Sequence, residues 1–155
     1  MKVSTKGRYA LRTMLDLAVH EKGGLTPLRE ISMRQGITIK YLEQVMNLLN
    51  KAGFVRSVRG AGGGYRLAKE PSQYTIGDIL RVAEGSLAPV SCLEDEVNLC
   101  PRNTDCMTVN FWEGFAVAIN NYVDSVTLED LLKYSNDSSI LFKYLRLIHP
   151  RLTNI

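Results

Sequence analysis

At 155 residues, the chain suits one domain or a small domain with an appendage, and a 45% apolar fraction supplies a core without disulfides. No stretch approaches the roughly 20 apolar residues that cross a bilayer, and Met1-Lys2-Val3-Ser4-Thr5-Lys6 lacks a signal-peptide core, so no membrane partner and a cytoplasmic location are expected. The net charge of +3 hides a division: residues 1–70 carry 13 Lys/Arg against 5 Asp/Glu, and residues 71–155 carry 6 against 11.

A basic N-terminal half is the footprint of a chain that binds a phosphate backbone. Lys2 to Lys6 leads into a helix expected from Gly7 to His20, with Tyr9, Leu11, Met14, Leu15 and Ala18 as its buried stripe and Arg8, Arg12, Asp16 and His20 elsewhere. Gly23-Gly24 should end it. Thr26 as N-cap and Pro27 as first residue then start a short helix to Gln35. Gly36-Ile37-Thr38 is the tight turn that a helix-turn-helix requires.

Thr38 caps the next helix, Ile39–Asn50, which Gly53 closes. Ile39, Leu42, Val45, Met46 and Leu49 share its apolar face, while Lys40, Glu43, Gln44 and Asn47 gather opposite with Tyr41 beside them. The alternation Phe54 to Arg59, the loop Gly60-Ala61-Gly62-Gly63-Gly64 and the return Tyr65-Arg66-Leu67 then read as a β-hairpin. The loop lacks the Lys-Ser/Thr of a P-loop and the acidic residue of a dinucleotide fold. It makes better sense as a wing tip, where glycine brings the backbone close to a duplex and Arg56, Arg59 and Arg66 flank it. The expected fold is therefore mainly α, a winged helix-turn-helix with a small β-ribbon wing and a long dimerisation helix. Thr38, Lys40, Tyr41, Glu43, Gln44, Arg56, Arg59, Gly60, Gly62 and Gly63 face double-stranded DNA.

Thr75-Ile76-Gly77-Asp78 opens a helix that Gly85 stops. All three cysteines follow within fifteen residues, Cys92, Cys100 and Cys106, in a loop rich in acids and turn formers. An odd number without an export signal argues against a disulfide framework. Thiolates in a loop can close on a soft metal centre, an iron–sulfur cluster or zinc, or act as redox-active thiols without metal. A cluster needs a fourth ligand: Glu94, Asp95, Glu96, Asp105, Asn110, a group from a partner subunit or an exogenous molecule. Next comes a helix of about 20 residues, Met107 to Val126, carrying Phe111, Phe115, Ala118, Ile119 and Tyr122, with Trp112, Ala116 and Val123 widening the stripe. A face broader than one small domain needs suggests dimerisation. Thr127 to Asp130 caps a short helix through Lys133, and the tail Ile140–Ile155 is either a docking helix or a frayed end. The expected divisions are 1–85, 86–106, 107–134 and 135–155. Two isolated histidines and no nucleotide loop assemble no catalytic set, so an enzyme is not expected; an iron–sulfur carrier would leave the polar helix face and basic wing without a purpose.

Ser4 to Arg12, Tyr41-Leu42-Glu43-Gln44 and Val58 to Tyr65 together resemble the Rrf2 family of bacterial winged-helix regulators, over Met1 to about Tyr134. With the cysteine loop and Phe111-Trp112, the chain resembles its iron–sulfur cluster regulator (IscR-like) branch. The resemblance implies a homodimeric transcription factor with a cluster on Cys92, Cys100 and Cys106, [2Fe–2S] favoured over [4Fe–4S], an Arg59 that reads a base pair and a Glu43 that sets sequence preference. The chain departs from that branch at Val109, where a histidine is usual, and at Lys40, where a smaller polar residue is common. Its first cysteine spacing is nearer the nitric-oxide-sensing branch, whose acidic ligand position is occupied here by Arg8.

Overall fold

Ser4 starts the first helix: its side chain accepts the Gly7 N–H at 3.2 Å, and α1 runs Thr5–Val19 in a computed structural model that describes residues 2–21 and 24–134. The start thus falls two residues before the expected Gly7 because the serine hydroxyl supplies a cap. The helix ends at Val19, where the His20 N–H bonds Asp16 O; Gly23 and the tail 135–155 lie outside the described residues. α1 is the central rod, packed against α2 (Leu28–Gln35), α3 (Ile39–Lys51), α4 (Ile76–Glu84), α6 (Leu128–Tyr134) and the second strand.

Thr26 does not cap α2. Pro27 is the N-cap, and Thr26 instead forms an antiparallel bridge with Tyr65, its N–H to Tyr65 O at 2.8 Å and its carbonyl from Tyr65 N–H at 2.9 Å. The link between α1 and α2 thereby becomes a third, one-residue edge of the wing. Gly36 closes α2 in the left-handed region (φ 64°), turning the chain into Thr38, whose hydroxyl accepts from Tyr41 N at 3.4 Å to open α3.

Leu42, Val45, Met46 and Leu49 of α3 are buried, but Ile39 is 45% exposed, because the first turn of the helix projects past the core. The wing pairs β1 (Val55–Val58) with β2 (Gly64–Leu67) in the register Val55↔Leu67, Arg56↔Arg66, Ser57↔Tyr65 and Val58↔Gly64. Val55 and Leu67 fasten its base to the core formed with Met14, Ile31, Leu42 and Tyr74. Tyr74 also ties the base down through its hydroxyl, which accepts the Ala68 and Lys69 N–H groups at 3.1 and 2.8 Å and donates to Phe54 O at 2.8 Å.

Thr75 caps α4 through the Asp78 N–H at 3.0 Å, and Gly85 ends it, as its sequence implies. Beyond a single 3-10 turn at Ser91–Leu93, the cysteine segment leads to α5, Val109–Ser125, two residues shorter at its start than the expected Met107. Ile119 and Val123 pack on Ile76, Leu80, Leu87 and Val126, while Phe111, Phe115, Ala118 and Tyr122 point away into solvent. Thr127 and Asp130 cap each other's backbone to begin α6.

Candidate nucleic-acid interface and thiol segment

On α3, Lys40, Glu43, Gln44 and Asn47 are exposed along one side of the helix, opposite the buried Leu42, Val45, Met46 and Leu49. Tyr41 is half-buried and meets Tyr9 of α1 edge-on, ring centroids 5.2 Å apart. Arg12 lies over the Tyr9 ring, its guanidinium carbon 5.6 Å from the centroid, and donates Nε–H to Gln35 Oε1 at 3.1 Å and Nη2–H to the Gln35 carbonyl.

Gln35 leads to a feature the sequence pattern conceals. Asp16, expected on the solvent side of α1, is buried, its side chain 2% exposed. Arg34 donates to both carboxylate oxygens, Nη2 to Oδ1 at 2.8 Å and Nε to Oδ2 at 3.1 Å, and Gln35 Nε2 donates to Oδ2 at 2.8 Å. Burial pushes the Asp16 pKa up, but the hydrogen bonds from Arg34 and Gln35, with the charge of Arg34, outweigh it and hold the carboxyl below its ordinary value. A buried carboxylate satisfied in this way fixes α2 on α1 and so sets where the following turn aims α3. Its partners come from another helix, so the periodicity of α1 gives no hint of it.

In the wing, Arg56 and Arg66 stand directly opposite one another, both exposed. Facing cations destabilise a strand pair unless an anion lies between or over them. Glu21, Lys69 and Glu70 line the open groove beside them. Arg59 is exposed at the tip, next to Gly60 (φ 117°), whose carbonyl accepts from Gly63 N at 3.0 Å to form the turn. Gly62 is exposed, whereas a side chain at Gly64 would meet the Thr26 carbonyl at 2.6 Å. The expected DNA-facing residues are thus distributed over two exposed surfaces, the polar side of α3 and the arginine-edged ribbon.

Cys92, Cys100 and Cys106 are free and half-buried. They sit in a succession of turns: Asn98 Oδ1 accepts from Cys100 N at 3.0 Å, Cys100 O accepts from Asn103 N at 2.9 Å, and Cys106 O accepts from Val109 N at 3.3 Å. Three thiols suit a soft metal centre in kind. In arrangement they do not assemble one: among the described residues no three His, Cys, Asp or Glu side chains converge closely enough to hold an ion. Gathering the three sulfurs requires these turns to re-form. The Cys106 thiol contacts Thr108 Oγ1 at 3.4 Å, and this hydrogen bond, with the Thr108 and Val109 N–H groups and the charge of Arg102, pulls its pKa down toward the thiolate.

The tie between α4 and α5 is equally invisible in composition. Arg81 forks onto Asp124 and donates to Asn120 Oδ1 at 2.7 Å. Among the described residues no helix is long and apolar enough to cross a membrane.

A tight helix-turn-helix, its second helix polar on the outside and followed by a two-stranded wing, defines a winged-helix DNA-binding regulator. A sequence profile of the Rrf2 family, described as an iron-dependent transcriptional regulator, matches residues 3–134. The chain is 41% identical over 132 residues to the HTH-type transcriptional regulator IscR of Aliivibrio salmonicida, covering 85% of this chain and 77% of that protein. Its fold is similar to the structure of CymR, the global cysteine regulator of B. subtilis, with a TM-score of 0.70, 43% identity and coverage of 86% and 98% of the two chains. It is also similar to that of T. potens IscR, with a TM-score of 0.71, 43% identity and coverage of 88% and 89%. The chain belongs to the Rrf2 family of transcriptional regulators, and is not an enzyme.

Proposed function

We propose that the chain acts as a homodimer that sets the α3 helices of two copies into successive major grooves of a near-palindromic operator, about 34 Å apart. Residues 1–85 are the DNA-binding domain, 86–106 the sensing segment and 107–134 the dimerisation unit. Arg59 offers its guanidinium to guanine O6 and N7, and Glu43 accepts from a cytosine amino group or penalises a base without a donor. Thr38, Lys40, Tyr41, Gln44, Arg56 and the backbone at Gly60, Gly62 and Gly63 position the duplex. The location is that of a cytoplasmic DNA-binding protein.

Chemistry at Cys92, Cys100 and Cys106 sets operator affinity. The observation that carries this reading is adjacency: Cys106 precedes the first residue of α5, Val109, by three positions, and α5 presents an exposed stripe of Phe111, Phe115, Ala118 and Tyr122. A change in the turns around the thiols therefore re-aims the helix through which the copies meet, and with it the spacing of the two reading helices. The three cysteines would hold an iron–sulfur cluster, [2Fe–2S] ahead of [4Fe–4S], with the fourth position filled from outside the thiol set. When bound, such a cluster supplies a tie among the thiolates that is sensitive to oxidation and loss. The thiolate-favouring surroundings of Cys106 support a second reading, a cluster-free thiol switch. Anaerobic purification, absorption spectroscopy, iron and sulfide assays, and selection of bound DNA before and after cluster removal separate the two. Unchanged operator affinity when all three cysteines become Ala would end both, while leaving DNA binding in place.

A further inference from the structure

The outer face of the wing carries a charge arrangement that folding alone does not favour. Val55 and Leu67 turn into the core, so the next pair along the ribbon, Arg56 and Arg66, turns out to solvent from directly opposed positions. Strand geometry sets their Cβ atoms about 5 Å apart, where like charges repel. Lys69, two residues past the end of β2, adds a third exposed cation beside them. None of these three side chains forms a hydrogen bond or an ion pair with a described residue.

The three cations border one groove of about 260 Å³, together with Glu70 and with Glu21 and Gly24 of the link between α1 and α2. Its walls are held from three sides. The Thr26 bridge fixes the link against β2, the strand register keeps the arginines opposed, and Tyr74 Oη accepts the Lys69 N–H at 2.8 Å. Glu21 and Glu70 share the groove, yet neither comes within ion-pairing reach of a cation there. The arginines therefore keep all their N–H donors for a group from outside. A guanidinium presents those donors as a planar fork that matches the oxygens of a phosphate.

We infer that Arg56, Arg66 and Lys69 form a phosphate seat on the outer face of the wing, with the two arginines sharing one phosphate and Lys69 adding charge from the edge of the groove. The phosphate is a backbone phosphodiester of the duplex or a free oxyanion. The first source rests on the operator binding proposed above; the seat itself does not. A phosphate held by both arginines cancels the repulsion across β1 and β2 and steadies the ribbon that carries Arg59.

The test has one arm without DNA and one with it, both on the full chain. In the first, inorganic phosphate is titrated against chloride at matched ionic strength, reading the Nε–H resonances of Arg56 and Arg66 and the thermal midpoint. Saturable shifts at both arginines are expected, with a rise in midpoint that R56Q/R66Q loses. The general effect of phosphate on apolar burial falls on both proteins and cancels. Glu21→Gln should tighten phosphate several-fold, a response that a contact elsewhere on the wing would not give. In the second arm, R56Q, R66Q and the double variant should each lower the salt slope on duplex by about one, because the two side chains serve the same phosphate. That slope change assigns the seat to the DNA backbone, and phosphate shifts with unchanged slopes assign it to a free oxyanion. Shifts in a protein that binds no duplex sink the operator reading and leave the seat standing. A slope lowered by about two in the double variant puts the arginines on separate phosphates and overturns the shared seat. Neither phosphate shifts nor any effect of Arg66→Gln on DNA overturns it as well.

Discussion

Arg81 grips Asp124 with two nitrogens, Nη1 to Oδ1 at 2.7 Å and Nη2 to Oδ2 at 2.8 Å, and so ties α4 to the last turns of α5. Both side chains are about one-third or more exposed, so water screens the pair. A double-mutant cycle of Arg81→Ala and Asp124→Ala should return a coupling of about 0.5–1 kcal/mol. Gly77 sharpens the test, because a Cβ there would land on Asp124 Oδ1 and lie 2.8 Å from Arg81 Nη1. Asp124 cannot swing aside without releasing Arg81. Arg81→Ala should therefore cost measurably less in a Gly77→Ala background than alone, by urea unfolding. Additive effects would mean that the fork survives the methyl group.

Asp16 should set the acid limit of stability. Its folded pKa lies below the ordinary 3.8, so its contribution is complete above that value and disappears as pH falls through the lowered one. Asp16→Ala removes the buried acceptor of Arg34 and Gln35 but leaves Arg34 part-exposed and paired with Glu30, so it should cost about 1.5–3 kcal/mol at neutral pH. The gap between wild type and Asp16→Asn should be constant from neutral pH down to about 4 and narrow below it. Unfolding curves across that range check both the size and the sign.

Tyr74→Phe removes one oxygen that serves three backbone groups, the Ala68 and Lys69 N–H donors and the Phe54 carbonyl. The ring stays packed in the core, so the loss falls on the base of the wing. Roughly 2 kcal/mol or more is expected from the stranded groups, with faster amide exchange at Ala68 and Lys69. Burial raises the Tyr74 pKa, so wild-type stability should show no phenolate transition near neutral pH.

Two arginines in one ribbon should behave differently. Arg59→Ala is expected to lose roughly 1–3 kcal/mol, about 5- to 150-fold, on the selected operator and far less on scrambled duplex. Arg56→Gln relieves the like-charge pair with Arg66, so the free protein should gain a few tenths of a kcal/mol. On DNA it should weaken both sequences alike and reduce the salt slope by about one. Titrations on both duplexes at several salt concentrations, at fixed temperature, distinguish the two patterns.

Local chemistry was the legible part of this chain. Thr38 and Gly53 bracket α3, and Thr75 and Gly85 bracket α4, because caps and stops act within a few residues of themselves. The polar side of α3 was equally readable from its spacing. What escaped depended on partners far along the chain. Thr26 looks like a cap by type, yet a strand 39 positions away claims its backbone. Asp16 looks solvated on α1 alone, since only the arrival of Arg34 and Gln35 makes its burial tolerable. The apolar stripe of α5 was found, but not its division between an inner side on α4 and an outer side in solvent. Cysteine spacing told which atoms are available and nothing of how the turns hold them apart.

The bridge between Thr26 and Tyr65 makes the glycines of the wing unequal. Gly62 meets nothing within 4 Å, whereas Gly63 abuts the Val58 carbonyl and Gly64 lies under Thr26 and Pro27. A saturation library through this pentapeptide should therefore recover almost any residue at Gly62 and little besides glycine at Gly64. Foreign peptides grafted between Ala61 and Gly62 should leave the hairpin seated while keeping its tip off a duplex, which separates the folding of the wing from its use.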